Sequence, residues 1–384
     1  MSNLIPVDKC RVCGCDFFKK PLLQYKNMPK AAQFMPDVES LKEDKGVDLD
    51  VCQCSGCGLV QLSNAPVPYY REVIRASAVS EEMKNFRKRQ FKDFVNQYSL
   101  QKKKIIEIGC GRGEFLAIMQ EFAAKSYGLE FSEPSVSDCR KMGLKVSPGF
   151  IEKADYNINS GPFDAFFILN FLEHLPEPNE ALRGIYNNLT DDGIGLVEVP
   201  NFDMILQKKL FSEFIGDHLF YFTAETLGST LQFNGFEILE CKVKWYDYII
   251  SAVVRKRKKT DLSDFQNYQV KLKNEIEKYL SHFQNKKVAI WGASHQALAI
   301  LSLLDLSDRI EYVVDSAAFK QGKFTPATHL PIVAPDKLNS DPVDAVIVMA
   351  AGYSDEVAGM IRQKFSKNIN ISILRDFGLE IIQS

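Results

Sequence analysis

The chain has 384 residues, of which 46% are hydrophobic and 25% are charged, and its formal net charge is -2. This length allows two or three domains, and the composition is that of a globular protein with ample apolar residues for its cores. A net charge so close to zero excludes a global basic field that would draw the protein onto nucleic acid or an anionic membrane. We therefore expect neither nucleic acid nor a membrane among its partners.

The N-terminal segment lacks a basic region followed by an apolar stretch, so we expect no signal peptide. No apolar run approaches the roughly 18 residues that a membrane-spanning helix needs. The nine cysteines are an odd number and include two Cys-X-X-Cys pairs, which favours metal ligation or free thiols over a disulfide framework. The sequence therefore predicts a soluble, cytoplasmic protein.

The first 66 residues contain two motifs of the form Cys-X-X-Cys-Gly. One pairs Cys10 with Cys13, and the other pairs Cys54 with Cys57. Zinc prefers four thiolates in a tetrahedron, and each Cys-X-X-Cys turn supplies two of them. Because so small a module buries little apolar surface, the metal would supply much of its folding free energy. We predict one structural zinc ion on these four cysteines; the alternative is a set of ordinary buried thiols.

An apolar segment at residues 105–108 carries Glu107 and ends at Gly109. Gly111 and Gly113 follow at a spacing of two, and an apolar-periodic segment comes next. This pattern predicts a strand, a glycine turn and a helix. Its spacing is GxGxG, which differs from the GxGxxG of dinucleotide-binding folds. Because glycine accepts positive φ and lets a ligand approach the backbone, the turn is a predicted nucleotide-binding loop.

The next predicted strand, residues 126–131, carries Glu130 near its end. A carboxylate at this position accepts hydrogen bonds from both hydroxyls of a ribose. Glycines beneath an adenosine and an acid on its ribose resemble the S-adenosylmethionine site of class I methyltransferases. We therefore predict that Glu107, the three glycines and Glu130 bind S-adenosylmethionine. The alternative is a glycine turn in a doubly wound fold that holds another nucleotide, or none.

Predicted strands and helices alternate along residues 104–199, which indicates a parallel sheet with helices on both faces. Ligands bind at the carboxyl ends of the strands in such a sheet. The strand predicted at residues 163–169 is followed by Asn170, Glu173 and His174, which would face the methyl donor. We assign Asn170 to donor binding and His174 to the chemistry, although a histidine here is also typical of a packed or capping residue.

After a strand predicted at residues 193–199, the apolar run FSEFIGDHLFYFT carries Asp217, His218 and Tyr221. Charged groups inside so apolar a segment are costly unless they are paired or used in chemistry. We predict His218 as a general base that Asp217 orients, with Tyr221 or His174 near a developing oxyanion. The alternative is a surface loop in which Asp217 caps a helix.

A strand predicted at residues 245–254 ends this part, and the basic run at residues 255–259 is predicted as a hinge rather than a nucleic-acid patch. A helix at about residues 262–283 then begins a second α/β unit. Its predicted strands are residues 287–291, 310–314 and 345–349. This unit has one glycine in its first turn and Asp315 after its second strand, which suits either a sugar nucleotide or a scaffold.

With all of these segments in view, the chain resembles the three-domain sugar C-methyltransferases of deoxysugar biosynthesis. The similar segments are the two cysteine pairs, the EIGCGRGEFL loop and residues 314–332, VDSAAFKQGKFTPATHLPI. The resemblance spans nearly the full length. It implies a zinc-binding module at residues 1–66, a class I Rossmann-like methyltransferase domain at residues 67–255 and a second Rossmann-like α/β domain at residues 256–384.

The resemblance implies a nucleotide-linked 4-keto sugar as acceptor, lying between the central and C-terminal parts and methylated through an enolate next to its ketone. Tyr70, Asp315 and Lys320 are the substrate-binding residues expected on this basis. The family's base lies in a tyrosine-histidine-acid-histidine run, which here reads IGDH at residues 215–218. Because the tyrosine and first histidine are missing, O- or N-methylation of a sugar or other small molecule is the alternative. A nucleic-acid methyltransferase and a non-catalytic zinc-bearing adaptor are less favoured.

Overall fold

The structure is a computed structural model, and it describes residues 5–30, 33, 35–72, 79–123, 125–365 and 368–382. The chain divides into two compact units, residues 1–258 and residues 259–384. Within the described ranges, no helix is both long enough and apolar enough to cross a lipid bilayer.

The first unit contains two sheets and the helices that cover them. Its strands are β1 (Leu23–Met28), β2 (Val47–Gln53), β3 (Val60–Leu62), β4 (Lys104–Ile108), β5 (Lys125–Glu130), β6 (Lys145–Pro148), β7 (Phe163–Leu169), β8 (Leu189–Pro200), β9 (Phe220–Tyr221), β10 (Phe236–Lys244) and β11 (Ile249–Lys256). Its α-helices are α1 (Glu81–Gln97), α2 (Glu114–Gln120), α3 (Glu133–Lys141), α4 (Pro178–Asn187), α5 (Phe202–Lys208) and α6 (Ala224–Phe233). Short 3-10 helices lie at Ser40–Lys42, Leu172–His174 and Phe211–Glu213.

The larger sheet has the strand order β10-β11-β8-β7-β4-β5-β6. Strands β8, β7, β4, β5 and β6 are parallel, as the alternation predicts, while β10 and β11 form an antiparallel edge. The strand predicted at residues 245–254 corresponds to β11 but begins too early, because residues 245–248 form the turn of the β10–β11 hairpin. Trp245 and Tyr246 have positive φ there, a conformation that propensity does not foresee for aromatic residues.

Both faces of the parallel sheet are buried, so its strands are almost wholly apolar. Successive side chains of a strand point to opposite faces. Ile105 and Phe167 pack in the core that includes residues of α1 and α2, whereas Ile106 and Phe166 pack in the core that includes residues of α4 and α6. Because β4, β5 and β7 are parallel, their carboxyl ends share one edge of the sheet, where Glu107, the glycine turn, Glu130 and Asn170 lie.

The smaller sheet joins the N-terminal segment to the middle of the chain, with the order β1-β2-β3-β9. Strand β9 pairs antiparallel with β3, opposing Tyr221 to Val60. The N–H of Leu62 also donates to the carbonyl of Leu219 at 2.9 Å, an ordinary length for a backbone hydrogen bond. This pairing tethers the loop that carries His218 to the cysteine-rich N-terminal part.

The second unit is a doubly wound α/β sheet of the order β14-β13-β12-β15-β16-β17, parallel except for the last strand. Its strands are β12 (Val288–Trp291), β13 (Tyr312–Val314), β14 (Ile332–Val333), β15 (Ala345–Val348), β16 (Asn370–Arg375) and β17 (Gly378–Ile382). Its helices are α7 (Ser263–Ser281), α8 (His295–Leu303), α9 (Lys337–Ser340) and α10 (Ser354–Lys364), with 3-10 turns at Ser307–Arg309 and Ala351–Tyr353. The predicted α/β class is confirmed for both units.

Candidate functional site

The glycine turn after β4 needs glycine for two separate reasons. Gly109, Gly111 and Gly113 have φ of 69°, 55° and 81°, in the left-handed region that other residues rarely adopt. A Cβ on Gly109 would also lie 2.6 Å from the ring of Phe171, and one on Gly113 would lie 2.5 Å from Leu144. A Cβ on Gly111 would meet nothing within 4 Å. The middle glycine is therefore required by its conformation alone.

Glu130 lies at the end of β5 and is bonded to the glycine turn. Its Oε2 accepts the N–H of Gly111 at 2.8 Å, and its Oε1 accepts the N–H of Ser132 at 2.9 Å. Burial raises the pKa of the Glu130 carboxyl, whereas these N–H donors oppose that rise. Each carboxylate oxygen keeps a further acceptor position, so the two hydroxyls of a ribose fit the predicted role.

A cleft opens beside Glu130 and the glycine turn. Its apolar lining consists of Ile108, Leu129, Phe131, Phe150, Ile151, Phe171, Leu175 and Ala181. Glu130 and Arg71 contribute its charged groups. Mostly apolar walls with a few fixed polar groups are typical of small-molecule sites, and the lining of this cleft has that composition.

Tyr70, a predicted substrate-binding residue, lies against one wall of this cleft. Its ring meets that of Phe150 edge to face, with 5.7 Å between centroids, and its hydroxyl accepts a hydrogen bond from Arg71 at 3.1 Å. The guanidinium of Arg71 lies 5.5 Å from the ring centroids of Phe131 and Phe150. Tyr70 thus borders the proposed donor site, and its contact with substrate stays a prediction.

Glu107 and Asn170 lie at the same edge of the sheet as the glycine turn. Glu107 is buried near the end of β4, and Asn170 follows β7 with φ of 49°. The N–H of Asn170 donates to the carbonyl of Glu198 at 2.8 Å. Within the described part of the chain, the buried Oδ1 of Asn170 has no hydrogen-bond partner. An oxygen in this state is available to a ligand.

The 3-10 helix after β7 buries His174, and the loop before β9 brings His218 beside it. The ring centroids of the two histidines are 4.7 Å apart and the rings meet edge to face. Nδ1 of His174 lies 2.7 Å from the carbonyl oxygen of Asp217, so this nitrogen carries the proton and Nε2 keeps its lone pair. Burial lowers the pKa of His174 to about 4 and also lowers that of His218. Both imidazoles are therefore neutral near pH 7.

Glu173 completes this group, although it was not among the predicted site residues. Its side chain is 1% exposed, and burial raises the pKa of its carboxyl to about 8. One carboxylate oxygen lies 3.9 Å from Nε2 of His174, beyond hydrogen-bonding distance. Ligand atoms of Glu173, His174 and His218 all lie within 4.8 Å of one another. We call these three residues the Glu-His-His cluster.

The side chain of Asp217 makes a contact that the sequence did not predict. Its Oδ1 accepts a hydrogen bond from the hydroxyl of Tyr69 at 2.9 Å, while its carbonyl holds His174. Orientation of His218 by the Asp217 carboxylate stays a prediction. Tyr69 was missed because it precedes Tyr70 in a Pro-rich segment that the sequence marks only as a boundary.

Tyr221 packs in a core cluster beside the smaller sheet. Its ring contacts Phe202 and Phe214, and its hydroxyl accepts the N–H of Ile215 at 3.0 Å. Burial raises the pKa of the Tyr221 hydroxyl above its ordinary value. These contacts hold the loop that carries His218, and a direct role of Tyr221 near an oxyanion stays a prediction.

The four cysteines predicted to bind zinc converge in the structure. The sulfurs of Cys10 and Cys57 are 3.7 Å apart, those of Cys13 and Cys54 are 3.3 Å apart, and all four lie within 4.8 Å of one another. Sulfurs of a tetrahedral zinc site with Zn–S bonds of about 2.3 Å are separated by about 3.8 Å. The donor set and its spacing therefore fit zinc.

Backbone geometry around the cysteines also fits a metal. The N–H groups of Gly56 and Cys57 point to the sulfur of Cys54 at 3.3 and 3.4 Å, which stabilises a thiolate. Gly14 and Gly58, which follow the two pairs, have φ of 73° and 77°. Each turn thus closes through a left-handed glycine, as the motif predicts.

In the second unit, Asp315 and Lys320 contact each other. Asp315 accepts the N–H groups of Ala293 and Ala317, each at 2.8 Å, as Glu130 accepts those of Gly111 and Ser132. Nζ of Lys320, however, also donates to Asp315 at 2.9 Å and to the carbonyl of Ala293 at 3.1 Å. The acid of the second unit is therefore paired with a cation. The predicted contact of Asp315 and Lys320 with substrate stays a prediction.

Comparison with known proteins identifies two domains in this chain. A profile described as a methyltransferase domain matches residues 83–241, and one described as a C-methyltransferase C-terminal domain matches residues 252–371. The chain therefore contains a methyltransferase domain followed by a C-methyltransferase C-terminal domain. It is an S-adenosylmethionine-dependent methyltransferase, because the matched methyltransferase domain contains the glycine turn, Glu130, His174 and His218. The prediction of an enzyme is confirmed.

Individual relatives are distant from this methyltransferase. It is 22% identical to the C-methyltransferase NovU of Streptomyces niveus over 93% of each chain. It is 28% identical to a ubiquinone biosynthesis O-methyltransferase of Bordetella avium over 22% of this chain and 37% of that protein. A solved S-adenosylmethionine-dependent methyltransferase of Clostridium acetobutylicum is 14% identical, with a TM-score of 0.39 over 49% of this chain and 96% of that one.

Proposed function

We propose that this enzyme methylates a nucleotide-linked keto sugar on the carbon next to its ketone, through an enolate. One structural observation carries the proposal. Phe171 packs on Gly109 of the glycine turn and lies 6.3 Å, centroid to centroid, from His174. The ring of Phe171 thus lies between the proposed donor-binding loop and His174, which belongs to a group of polar side chains suited to proton transfer.

Carbon methylation requires a base and a stabilised enolate oxygen. The base takes the proton from the carbon next to the ketone, and the electron pair moves to the ketone oxygen. That carbon then attacks the sulfonium methyl group, the methyl–sulfur bond breaks, and S-adenosylhomocysteine leaves. Two groups here can accept the proton: His218, the base predicted from the sequence, and Asp217 through the hydroxyl of Tyr69.

We place the donor on the glycine turn, with its ribose hydroxyls on Glu130 and its amino-acid end near Glu107 and Asn170. Three glycines at positive φ and a buried acid bonded to the turn support this placement. The protein contributes mainly by aligning the sulfonium methyl with the attacking carbon.

The nature of the acceptor rests on the sequence resemblance and on one relative. The relative that aligns over 93% of this chain is named a C-methyltransferase. The segment 314–332, with the Asp315–Lys320 ion pair, resembles the signature of sugar C-methyltransferases. The second unit is therefore the proposed site of nucleotide-sugar recognition, with Tyr70 as a further candidate contact in the first unit.

We also propose one structural zinc ion on Cys10, Cys13, Cys54 and Cys57. The convergence of four thiols from two distant motifs supports it, because unbridged thiols rarely gather without a shared ligand. Bound zinc would fix the turns that follow the two motifs, and β3 would transmit that order to β9 and the His218 loop.

The position of the transferred methyl group tests the proposed function. Candidate nucleotide-linked keto sugars are first screened by thermal shift with S-adenosylhomocysteine, because a ligand of the native state raises the melting temperature. The best acceptor is then incubated with donor that carries a 13C-labelled methyl group. We expect the product to show a methyl carbon bonded to carbon. A methyl on oxygen or nitrogen would contradict the proposal and favour the alternative reactions, and methyl transfer to nucleic acid would replace it.

A further inference from the structure

We propose that Glu173, His174 and His218 bind a divalent transition-metal cation at the methyl-transfer site. Two imidazole nitrogens and one carboxylate oxygen come within 4.8 Å of one another at the carboxyl edge of the sheet. Such a pair of histidines with one carboxylate is a donor set that binds divalent cations and leaves coordination positions open. The binding site stands on geometry alone, while the role we give the cation rests on the proposed function.

The strongest observation is the state of the Glu173 side chain. Oε2 is buried and, in the part of the chain that the structure describes, makes no hydrogen bond. Its other oxygen is 3.9 Å from the nearest imidazole nitrogen of His174, too far for a hydrogen bond even from a protonated carboxyl. A buried carboxyl oxygen without a hydrogen bond is costly in either protonation state. A cation between Glu173 and the two histidines would satisfy it.

The histidines are prepared as ligands. The Nδ1–H of His174 donates to the carbonyl of Asp217 at 2.7 Å, which fixes the ring and leaves Nε2 as the electron-pair donor. A hydrogen bond from the second ring nitrogen to a backbone carbonyl is the usual support of a metal-ligating histidine. His218 lies against His174 and is only partly buried, which leaves a cation a route to the two rings.

Asn170 offers one further ligand. It precedes Glu173 by three residues in the same turn after β7, and its Oδ1 is the other buried oxygen of this turn without a hydrogen bond among the described residues. Two unpaired oxygens in one turn have no common structural explanation. A neutral amide oxygen, a carboxylate and two imidazoles suit cations such as Mn2+, Fe2+ or Zn2+ better than they suit Ca2+, which prefers six or more oxygens.

A cation here would take over the stabilisation of the enolate. As a Lewis acid it would bind the ketone oxygen and hold the negative charge that forms when the neighbouring proton leaves. A histidine nitrogen that ligates a cation has no lone pair left for a proton. The proton would then pass to the Tyr69 hydroxyl as Tyr69 gives its own proton to Asp217. The cation thereby compensates for the tyrosine and histidine that the IGDH run lacks.

The test uses the full-length protein, its zinc content measured beforehand, and free Mn2+ as probe. Mn2+ avoids thiolate sites, so the four cysteines do not compete for it. The electron paramagnetic resonance signal of free Mn2+ falls as the ion binds. We expect one site per chain, or a second tightly bound zinc ion if purification has already filled the site. Glu173→Gln and His174→Asn should each weaken Mn2+ binding at least tenfold, or remove the second zinc.

His174→Asn retains a donor for the Asp217 carbonyl, and Glu173→Gln keeps the volume of the side chain, so both test ligation separately from packing. His295→Ala, at an exposed histidine of the second unit, is the control and should bind as wild type does. Thermal unfolding checks that each variant is folded. Wild-type protein that binds neither Mn2+ nor a second zinc would overturn the proposal, as would unchanged binding in both cluster variants. Because no acceptor is present, this result is separate from that of the product analysis.

Discussion

The imidazole rings of His174 and His218 meet edge to face, with 4.7 Å between their centroids. His174 comes from the turn after β7, and His218 comes from the loop before β9. Nδ1–H of His174 donates to the carbonyl of Asp217, the residue before His218. Pairing of β9 with β3 in turn fixes that loop to the N-terminal sheet. The proposed methyl-transfer site therefore depends on three distant parts of the first unit.

Replacing Glu130 with alanine should weaken binding of S-adenosylhomocysteine. The carboxylate would lose two charge-assisted hydrogen bonds to the ribose, each worth about 1.5–3 kcal/mol, so we expect a loss of affinity of about 100-fold or more. Calorimetry measures this change. Glu225→Ala, at an exposed acid in the first turn of α6, is the control and should bind normally. Equal affinities for the two variants would refute the ribose assignment.

The glycine turn offers a matched pair of substitutions. Gly109→Ala and Gly111→Ala both place a side chain at positive φ, which costs about 1–2 kcal/mol. Only the first also forces a Cβ into the ring of Phe171. Chemical denaturation should show a larger loss of stability for Gly109→Ala. A smaller loss of stability for Gly109→Ala than for Gly111→Ala would mean that the ring of Phe171 moves aside at little cost. The double variant Gly109→Ala with Phe171→Ala measures the cost of moving the ring, because it removes the clash.

Cys54→Ser should remove about one zinc ion per chain relative to wild type. A structural zinc site contributes on the order of 10 kcal/mol to the folding of a small module, so the N-terminal segment should lose its cooperative unfolding. Elemental analysis and thermal unfolding report the two effects. Cys15→Ser is the control, since Cys15 is exposed and outside the four-cysteine group. Identical zinc contents in the two variants would exclude the proposed ligand set.

His218→Ala should abolish exchange of the proton next to the ketone. Wild-type enzyme in deuterium oxide, supplied with the acceptor and S-adenosylhomocysteine, should incorporate deuterium at that carbon without methyl transfer. Loss of His218, as base or as cation ligand, should slow the exchange by about 100-fold or more. Nuclear magnetic resonance follows the signal, with His295→Ala as control. Exchange at the wild-type rate in His218→Ala would remove this residue from the chemistry.

Tyr69→Phe removes only the hydroxyl that donates to Asp217. If Tyr69 transfers the proton, turnover and deuterium exchange should both fall, by about 100-fold, while the affinity for S-adenosylhomocysteine is unchanged. Tyr98→Phe, at a partly exposed tyrosine beyond α1, provides the comparison. Normal exchange in Tyr69→Phe would leave His218 as the base, and weakened donor binding would instead indicate a structural role.

Local sequence patterns were enough for the elements that one segment encodes. The strand, glycine turn and helix around Gly109 follow from periodicity and from the conformations that glycine permits, and Glu130 follows as the acid after the next strand. The two Cys-X-X-Cys-Gly motifs likewise predict their own turns, since the spacing sets the geometry. Their convergence into one group needed only the assumption of a shared metal.

Tertiary structure alone decided which side chains meet. The sequence does not mark out Glu173, because the lack of a hydrogen-bond partner for its Oε2 among the described residues is a property of the folded environment. The contact between Tyr69 and Asp217 joins residues 148 positions apart, a separation at which sequence carries no contact signal. The tertiary structure also decides the positive φ of Trp245, because pairing of β10 with β11 overrides the strand preference of an aromatic residue.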